Sequence, residues 1–320
     1  MIVVAQDGSG DFQTIQEAIN HIPEDNSTRT IIQVKKGRYH EKLHIDRRLI
    51  TLKGEGMETV ITYDDCALKR WPDGKKYGTF NSYTVLITGD DFLAEDITFE
   101  NAAGPGKIAG QALAAYIDAD RVVFRNCRFL GHQDTIFTGP LPPVTGNGDL
   151  FDSPREGMPR KKGRHYYENC FIAGDVDFIF GGATAVFYNC ELFSHDRHTG
   201  YITAASTPEG EKYGYVLINC KLTGDAQPET VYLGRPWRDY GRTVFINTYM
   251  GEHIKPEGWH NWSRPEREQT TFYAEYKSYG PGAKMDQRVP WAKILTDEEA
   301  KEYTVENVLA GDDGWNPRVQ

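Results

Sequence analysis

The chain reads as an all-β parallel solenoid, and three observations predict it. First, one phrase recurs as Phe124-Arg125-Asn126-Cys127-Arg128-Phe129, Tyr167-Glu168-Asn169-Cys170-Phe171-Ile172, Phe187-Tyr188-Asn189-Cys190-Glu191-Leu192 and Leu217-Ile218-Asn219-Cys220-Lys221-Leu222. Second, each copy is a short alternating strand broken by a turn-prone Asn. Third, the copies lie between 20 and 43 residues apart, which suits stacked coils joined by loops of unequal length. Looser copies flank them at Leu93-Ala94-Glu95-Asp96-Ile97-Thr98-Phe99 and Val244-Phe245-Ile246-Asn247-Thr248-Tyr249-Met250.

From the N-terminus, Phe12, Ile15, Ile19 and Ile22 form an amphipathic stripe after Asp11, which predicts a helix capped by Asp11 and laid over the open end of the solenoid. Strand-like runs follow at Thr30–Val34, Ile50–Lys53 and Thr84–Ile87, and another at Thr230–Leu233. In stacked coils, Asn126, Asn169, Asn189, Asn219 and Asn247 would form an amide ladder at one bend, with the neighbouring cysteines turned inward as small apolar groups. Residues 139–163 carry five prolines and several glycines with little periodicity, which predicts a long loop beside the functional site. Thr296-Asp297-Glu298-Glu299 is a capping box that opens a short C-terminal helix. One solenoid domain over 1–320 accommodates all of this.

Composition narrows the function. Of 320 residues, 39% are hydrophobic and 26% charged, enough for a sizeable core. Lys plus Arg number 36 against 46 Asp plus Glu, a net charge of −10, which argues against nucleic acid and favours a neutral or partly neutralised substrate. No run reaches the roughly 18–20 apolar residues that cross a bilayer, so no membrane partner is expected. The first residues, Met1-Ile2-Val3-Val4-Ala5-Gln6-Asp7-Gly8, lack the basic and apolar regions of a secretory signal. The expected compartment is therefore the cytoplasm, the alternative being a mature secreted form. The five cysteines contain no CxxC pair, so neither a zinc site nor a disulfide framework is indicated.

Three stretches carry chemistry: Gly131-His132-Gln133-Asp134-Thr135, Gly174-Asp175-Val176-Asp177-Phe178-Ile179-Phe180-Gly181 and Leu233-Gly234-Arg235-Pro236-Trp237. An ionised Asp177 among Val176, Phe178, Ile179 and Phe180 carries a heavy desolvation cost unless a cation or hydrogen-bond donors meet it. Arg235 is a candidate cation and Asp134 a second carboxylate; together they suffice for acid–base or nucleophilic chemistry without metal or histidine. Asp134 lies seven residues after Cys127, and Asp177 seven after Cys170. Equal offsets place the two carboxylates at comparable positions on different coils. The competing reading is a buried structural ion pair between Asp177 and Arg235.

These stretches resemble the signature blocks of pectin methylesterases, right-handed parallel β-helix enzymes. The likeness runs from Val4-Ala5-Gln6-Asp7-Gly8-Ser9-Gly10-Asp11-Phe12 to Tyr279-Gly280-Pro281-Gly282-Ala283, with Asp96-Ile97-Thr98-Phe99-Glu100-Asn101 and Gly110-Gln111-Ala112-Leu113-Ala114 in order between. The resemblance implies Asp177 as nucleophile on a galacturonate methyl ester, Arg235 holding it ionised, and Asp134 as the acid and then the base that activates water. It implies Gln111 and Gln133 as oxyanion donors, and Thr79, Phe137, Phe180, Trp237 and Trp259 along the substrate groove. Phe137 stands where tyrosine is common in the family, which removes a hydroxyl and leaves a stacking face. No metal and no cofactor are implied; the expected partner of a monomeric enzyme is methyl-esterified homogalacturonan or its oligomers, with water.

Other readings have weaker support. His195-Asp196-Arg197-His198 lacks a third metal ligand and reads as a solvated polar turn. No Gly-x-Ser-x-Gly elbow and no phosphate-binding glycine loop occur. The alternatives that remain are a pectate lyase or polygalacturonase type of β-helix enzyme and a non-catalytic carbohydrate-binding relative.

Overall fold

The computed structural model describes residues 1–319. Three parallel sheets of eleven, seven and eight strands run along a coiled chain, each strand pairing with its equivalent one coil away. The coil is a parallel β-helix. Its interior holds one continuous apolar core from Val4 to Tyr273, lined by Ile, Val, Leu and Phe side chains from all three sheets.

The repeated Asn-Cys phrase makes the bend between the eleven- and eight-stranded sheets. Asn126, Asn169, Asn189, Asn219 and Asn247 all take positive φ, between 49° and 54°. Asn tolerates this left-handed conformation better than most residues because its short polar side chain bonds locally. The side-chain ladder is confined to the first rungs, where Asn126 Nδ2 donates to Asp96 at 3.2 Å and Asn169 Nδ2 to Asn126 at 3.5 Å. Further along, backbone bonds hold the register, as in Asn189 N to Ile218 O at 3.0 Å. The adjacent Cys127, Cys170, Cys190 and Cys220 are buried in the core. Burial pushes the thiols of Cys127, Cys170 and Cys190 up, which keeps them neutral packing groups. Beside them Phe124, Tyr167 and Phe187 stack at 5.1 and 4.5 Å.

The N-terminal helix covers Ile15–His21 and buries Ile15, Ala18 and Ile19. Its cap is Thr14, whose Oγ1 accepts from Glu17 N at 3.3 Å, and not Asp11. Asp11 instead accepts from Val3 N at 2.8 Å, because the chain is still extended at Phe12, which bridges to Val4. The Glu41 carboxylate takes up the Ile15 and Gln16 amides at 2.9 and 3.0 Å. At the other end the capping box of Thr296 and Glu299 opens Asp297–Ala300 as expected. A further helix, Val305–Leu309, lays Val305, Val308 and Leu309 over the outer face of the eleven-stranded sheet.

Candidate active site

The seven-stranded sheet carries the site. Its strands Ile136–Thr138 and Val176–Gly181 pair in register, with Ile136 opposite Ile179 and Phe137 opposite Phe180. The same offset sets Asp134 beside Asp177, and Asp134 N donates to Val176 O at 3.0 Å. Both aspartates have positive φ, 65° and 49°. At Asp177 the pairing with Gly200–Ala205 slips between Val176 and Ile179, a bulge that turns the carboxylate outward while Phe178 enters the core. Gly174 is required beneath it, because a Cβ there would overlap Phe178.

Arg235 follows the strand Val231–Gly234, its amide bonded to Thr203 O at 3.0 Å. Its guanidinium forks onto Asp177, Nε to Oδ1 at 2.9 Å and Nη2 to Oδ2 at 2.7 Å. The fork is held from both faces, by the Tyr201 ring at 3.8 Å and the Trp262 ring at 3.7 Å. Asp134 and Asp177 are only 8% and 6% exposed. Burial raises both carboxyls, and the two differ in what opposes it. Asp134 is pushed well above the usual range by burial and by the Asp177 charge, with Arg235 acting only through space. Asp177 is raised by burial but pulled back by the Arg235 hydrogen bonds and charge. The proton therefore belongs on Asp134 and the negative charge on Asp177.

A pocket of about 450 Å³ opens over these groups. Gln111, Gln133, Thr79, Phe180 and Trp237 line it together with Asp134, Asp177 and Arg235, so eight of the ten expected residues meet in one place. Two do not. Phe137 is fully buried beneath the floor, edge-on to Tyr116 at 4.8 Å and to Phe80 at 5.0 Å, and offers no face to a ligand. Trp259 is 1% exposed and stacks on Tyr273 at 4.3 Å inside the coil, under Gly234. Of this segment it is Trp262, three residues on, that lines the pocket, alongside Trp237.

Sequence reasoning also missed Phe80 and Phe151, which meet edge to face at 5.3 Å in the pocket wall. Phe151 belongs to the long loop, which has no helix or strand between Thr138 and Arg164. Ser153 Oγ to Tyr116 OH at 3.0 Å and Arg155 Nε to Asp118 at 2.5 Å tie that loop down. The polar turn at His195–His198 is not solvated throughout: Arg197 turns inward to Asp175 and Gln133. Among the described residues, no cluster of His, Cys, Asp and Glu could hold a metal ion, and no helix is long and apolar enough to cross a membrane.

A family model described as Pectinesterase matches residues 1–140 and 153–312, leaving out only part of the long loop and the last residues. The chain is 39% identical over 311 residues to Pectinesterase 31 of Arabidopsis thaliana, covering 95% of this chain and 90% of that protein. The structure of a pectin methylesterase from carrot superposes with a TM-score of 0.82 at 33% identity, over 98% of this chain and 93% of the other. A pectin methylesterase in complex with a hexasaccharide gives 0.79 at 34% identity, over 99% and 98%. With nearly its whole length matched in sequence and in fold, the chain belongs to the pectinesterase family.

Proposed function

We propose that this chain hydrolyses the C6 methyl esters of galacturonate units in homogalacturonan or its oligomers, with Asp177 as nucleophile. The observation that carries this is the pair of buried carboxylates of which only Asp177 has a guanidinium fork. Ionised Asp177 attacks the ester carbonyl carbon. The tetrahedral oxyanion is met by the carboxamide N–H groups of Gln111 and Gln133, which line the same pocket. Collapse breaks the C–O bond to the methoxy group, which leaves as methanol with the proton from Asp134. Asp134, now ionised, takes a proton from water, and the hydroxide attacks the acyl carbon. That step frees Asp177 and releases a galacturonate carboxylate. Phe180, Trp237 and Trp262 supply apolar faces for sugar C–H surfaces, and Thr79 a hydroxyl.

The test is methanol release from methylated homogalacturonan by the parent, Asp177→Asn and Asp134→Asn. Release by the parent with loss in both variants is expected. Unsaturated products absorbing in the ultraviolet would mean a lyase, and new reducing ends a glycoside hydrolase. No product with retained binding would mean a carbohydrate-binding relative.

Finer points belong to the same proposal: a monomer that acts in the cytoplasm on short oligomers. The preference for short oligomers has a direct assay. Turnover of a methylated trimer against polymer tests it, and strong preference for polymer would sink it. Fractionation of the source cells tests the compartment.

A further inference from the structure

We propose that Arg197 is a positioning residue that fixes the Gln133 carboxamide with its NH₂ group toward the reacting carbonyl. The inference rests on Gln133 acting as an oxyanion donor. Arg197 lies in the connection between the strands Glu191–Ser194 and Gly200–Ala205. Its side chain is 27% exposed and folds back toward the site. One nitrogen, Nη1, makes two contacts: to Asp175 Oδ1 at 3.1 Å and to Gln133 Oε1 at 3.4 Å.

A carboxamide has an acceptor end and a donor end. A guanidinium can receive only the acceptor end, since rotating Gln133 by half a turn would set its NH₂ against N–H donors. With Oε1 held on Arg197, Nε2 is left for the pocket that Gln133 lines. Two features hold the cation itself. Asp175 is 3% exposed, and its backbone N–H donates to His132 O at 2.9 Å, so the anion that anchors Arg197 is fixed to the same turn as Gln133. Gly106, at the start of the short helix Gly106–Ala109, closes over both side chains. A Cβ on Gly106 would stand 2.6 Å from Gln133 Cβ and 2.8 Å from Arg197 Nη1, so the seat exists only with glycine there.

A donor that bonds the oxyanion more strongly than the ground-state carbonyl acts on kcat and little on KM. Arg197→Met should therefore lower kcat for methanol release about 10–100-fold with KM within about twofold. Arg197→Lys should recover most of that loss, because a single nitrogen makes both contacts. Gln133→Ala should lower kcat at least as much, and the double variant Gln133→Ala with Arg197→Met should be no slower than Gln133→Ala alone. Because Arg197→Met leaves Asp175 buried without its cation, the same series is run with Asp175→Asn, and melting curves confirm that each protein is folded at the assay temperature. Losses that multiply in the double variant, or an Arg197→Met enzyme with parental kcat while Gln133→Ala is slow, would overturn the proposal. If Gln133→Ala itself keeps parental kcat, the oxyanion assignment of Gln133 falls and this inference with it, while the outcome for Asp177→Asn still decides the esterase reading separately.

Discussion

Removing the guanidinium from Asp177 should switch off the nucleophile by protonating it, and Arg235→Leu is the perturbation that does so. Asp177 is 6% exposed, and burial alone already favours its neutral form. The opposing influence is the Arg235 fork, with contacts of 2.9 and 2.7 Å. Breaking a buried ion pair from one side costs about 3–5 kcal/mol, and each 1.36 kcal/mol is a factor of ten, so kcat at neutral pH should fall by about 10²–10⁴. The direction in pH follows from the same physics. Without Arg235 the Asp177 carboxyl titrates at higher pH, so the acidic limb of the rate profile moves up and part of the lost activity returns under alkaline conditions. Arg235→Lys keeps the charge but not the fork; losing one charge-assisted bond of about 1.5–3 kcal/mol predicts a drop of about 10–150-fold with a smaller displacement of the limb. The assay is initial methanol release from a methylated trimer between pH 4 and 10. An Arg235→Leu enzyme with the parental acidic limb, or one less than about tenfold slower, would refute the assignment of Arg235 as the group that keeps Asp177 ionised.

Two further perturbations separate roles that the fold has split. Trp262→Ala strips one face from the Arg235 guanidinium and should lower kcat/KM by about 2–30-fold, from a cation–π contact of about 0.5–2 kcal/mol, with little change in melting temperature. Trp259→Ala should do the reverse, costing about 3–5 kcal/mol of stability in urea unfolding because that ring is 1% exposed and stacked on Tyr273. Asp134→Asn should stabilise the protein at neutral pH by about 0.5–2 kcal/mol while abolishing turnover. Its folded carboxyl is raised above the unfolded value, so the folded state keeps a proton that the unfolded state has lost, and stability falls as pH rises through that window. The gain from Asp134→Asn should vanish below about pH 4, where both states are protonated, and equal gains at pH 3 and pH 7.5 would contradict it.

The solenoid was legible because its repeat is local: each Asn-Cys pair marks a bend whose left-handed backbone only a few residue types accept. The same marker located Asp134 and Asp177, since the 43-residue interval between Cys127 and Cys170 is also the register between their coils. Arg235 obeys no such offset, and only its closeness to Asp177 in space reveals the fork. Trp259 and Trp262 could not be separated by pattern, because irregular chain has no period to say which ring faces inward. Phe151 sits in the stretch that the family model leaves unmatched, so neither repeat nor motif pointed to it. Arg197 was hidden differently: a charged turn usually faces water, and nothing local signals that buried Asp175 and the Gln133 carboxamide draw it in.

Stacking makes the two aspartates equivalent, and chemistry needs them different. Both are left-handed residues at matching places on neighbouring coils, both are buried, burial raises both carboxyls, and the Asp177 charge raises Asp134 further. Equivalence is broken by what the next coils bring. The strand Val231–Gly234 ends where Arg235 can reach Asp177 across the bulge in Val176–Gly181, and Tyr201 and Trp262 clamp the guanidinium so that it cannot swing to Asp134. One cation shared unequally between two like acids yields one anion and one neutral acid at the same pH. In the proposed mechanism the division of labour thus comes from the unlike partners of a like pair, with Arg235 bonded to Asp177 and not to Asp134. It follows that moving the cation, more than deleting either acid, is what should exchange their protonation states.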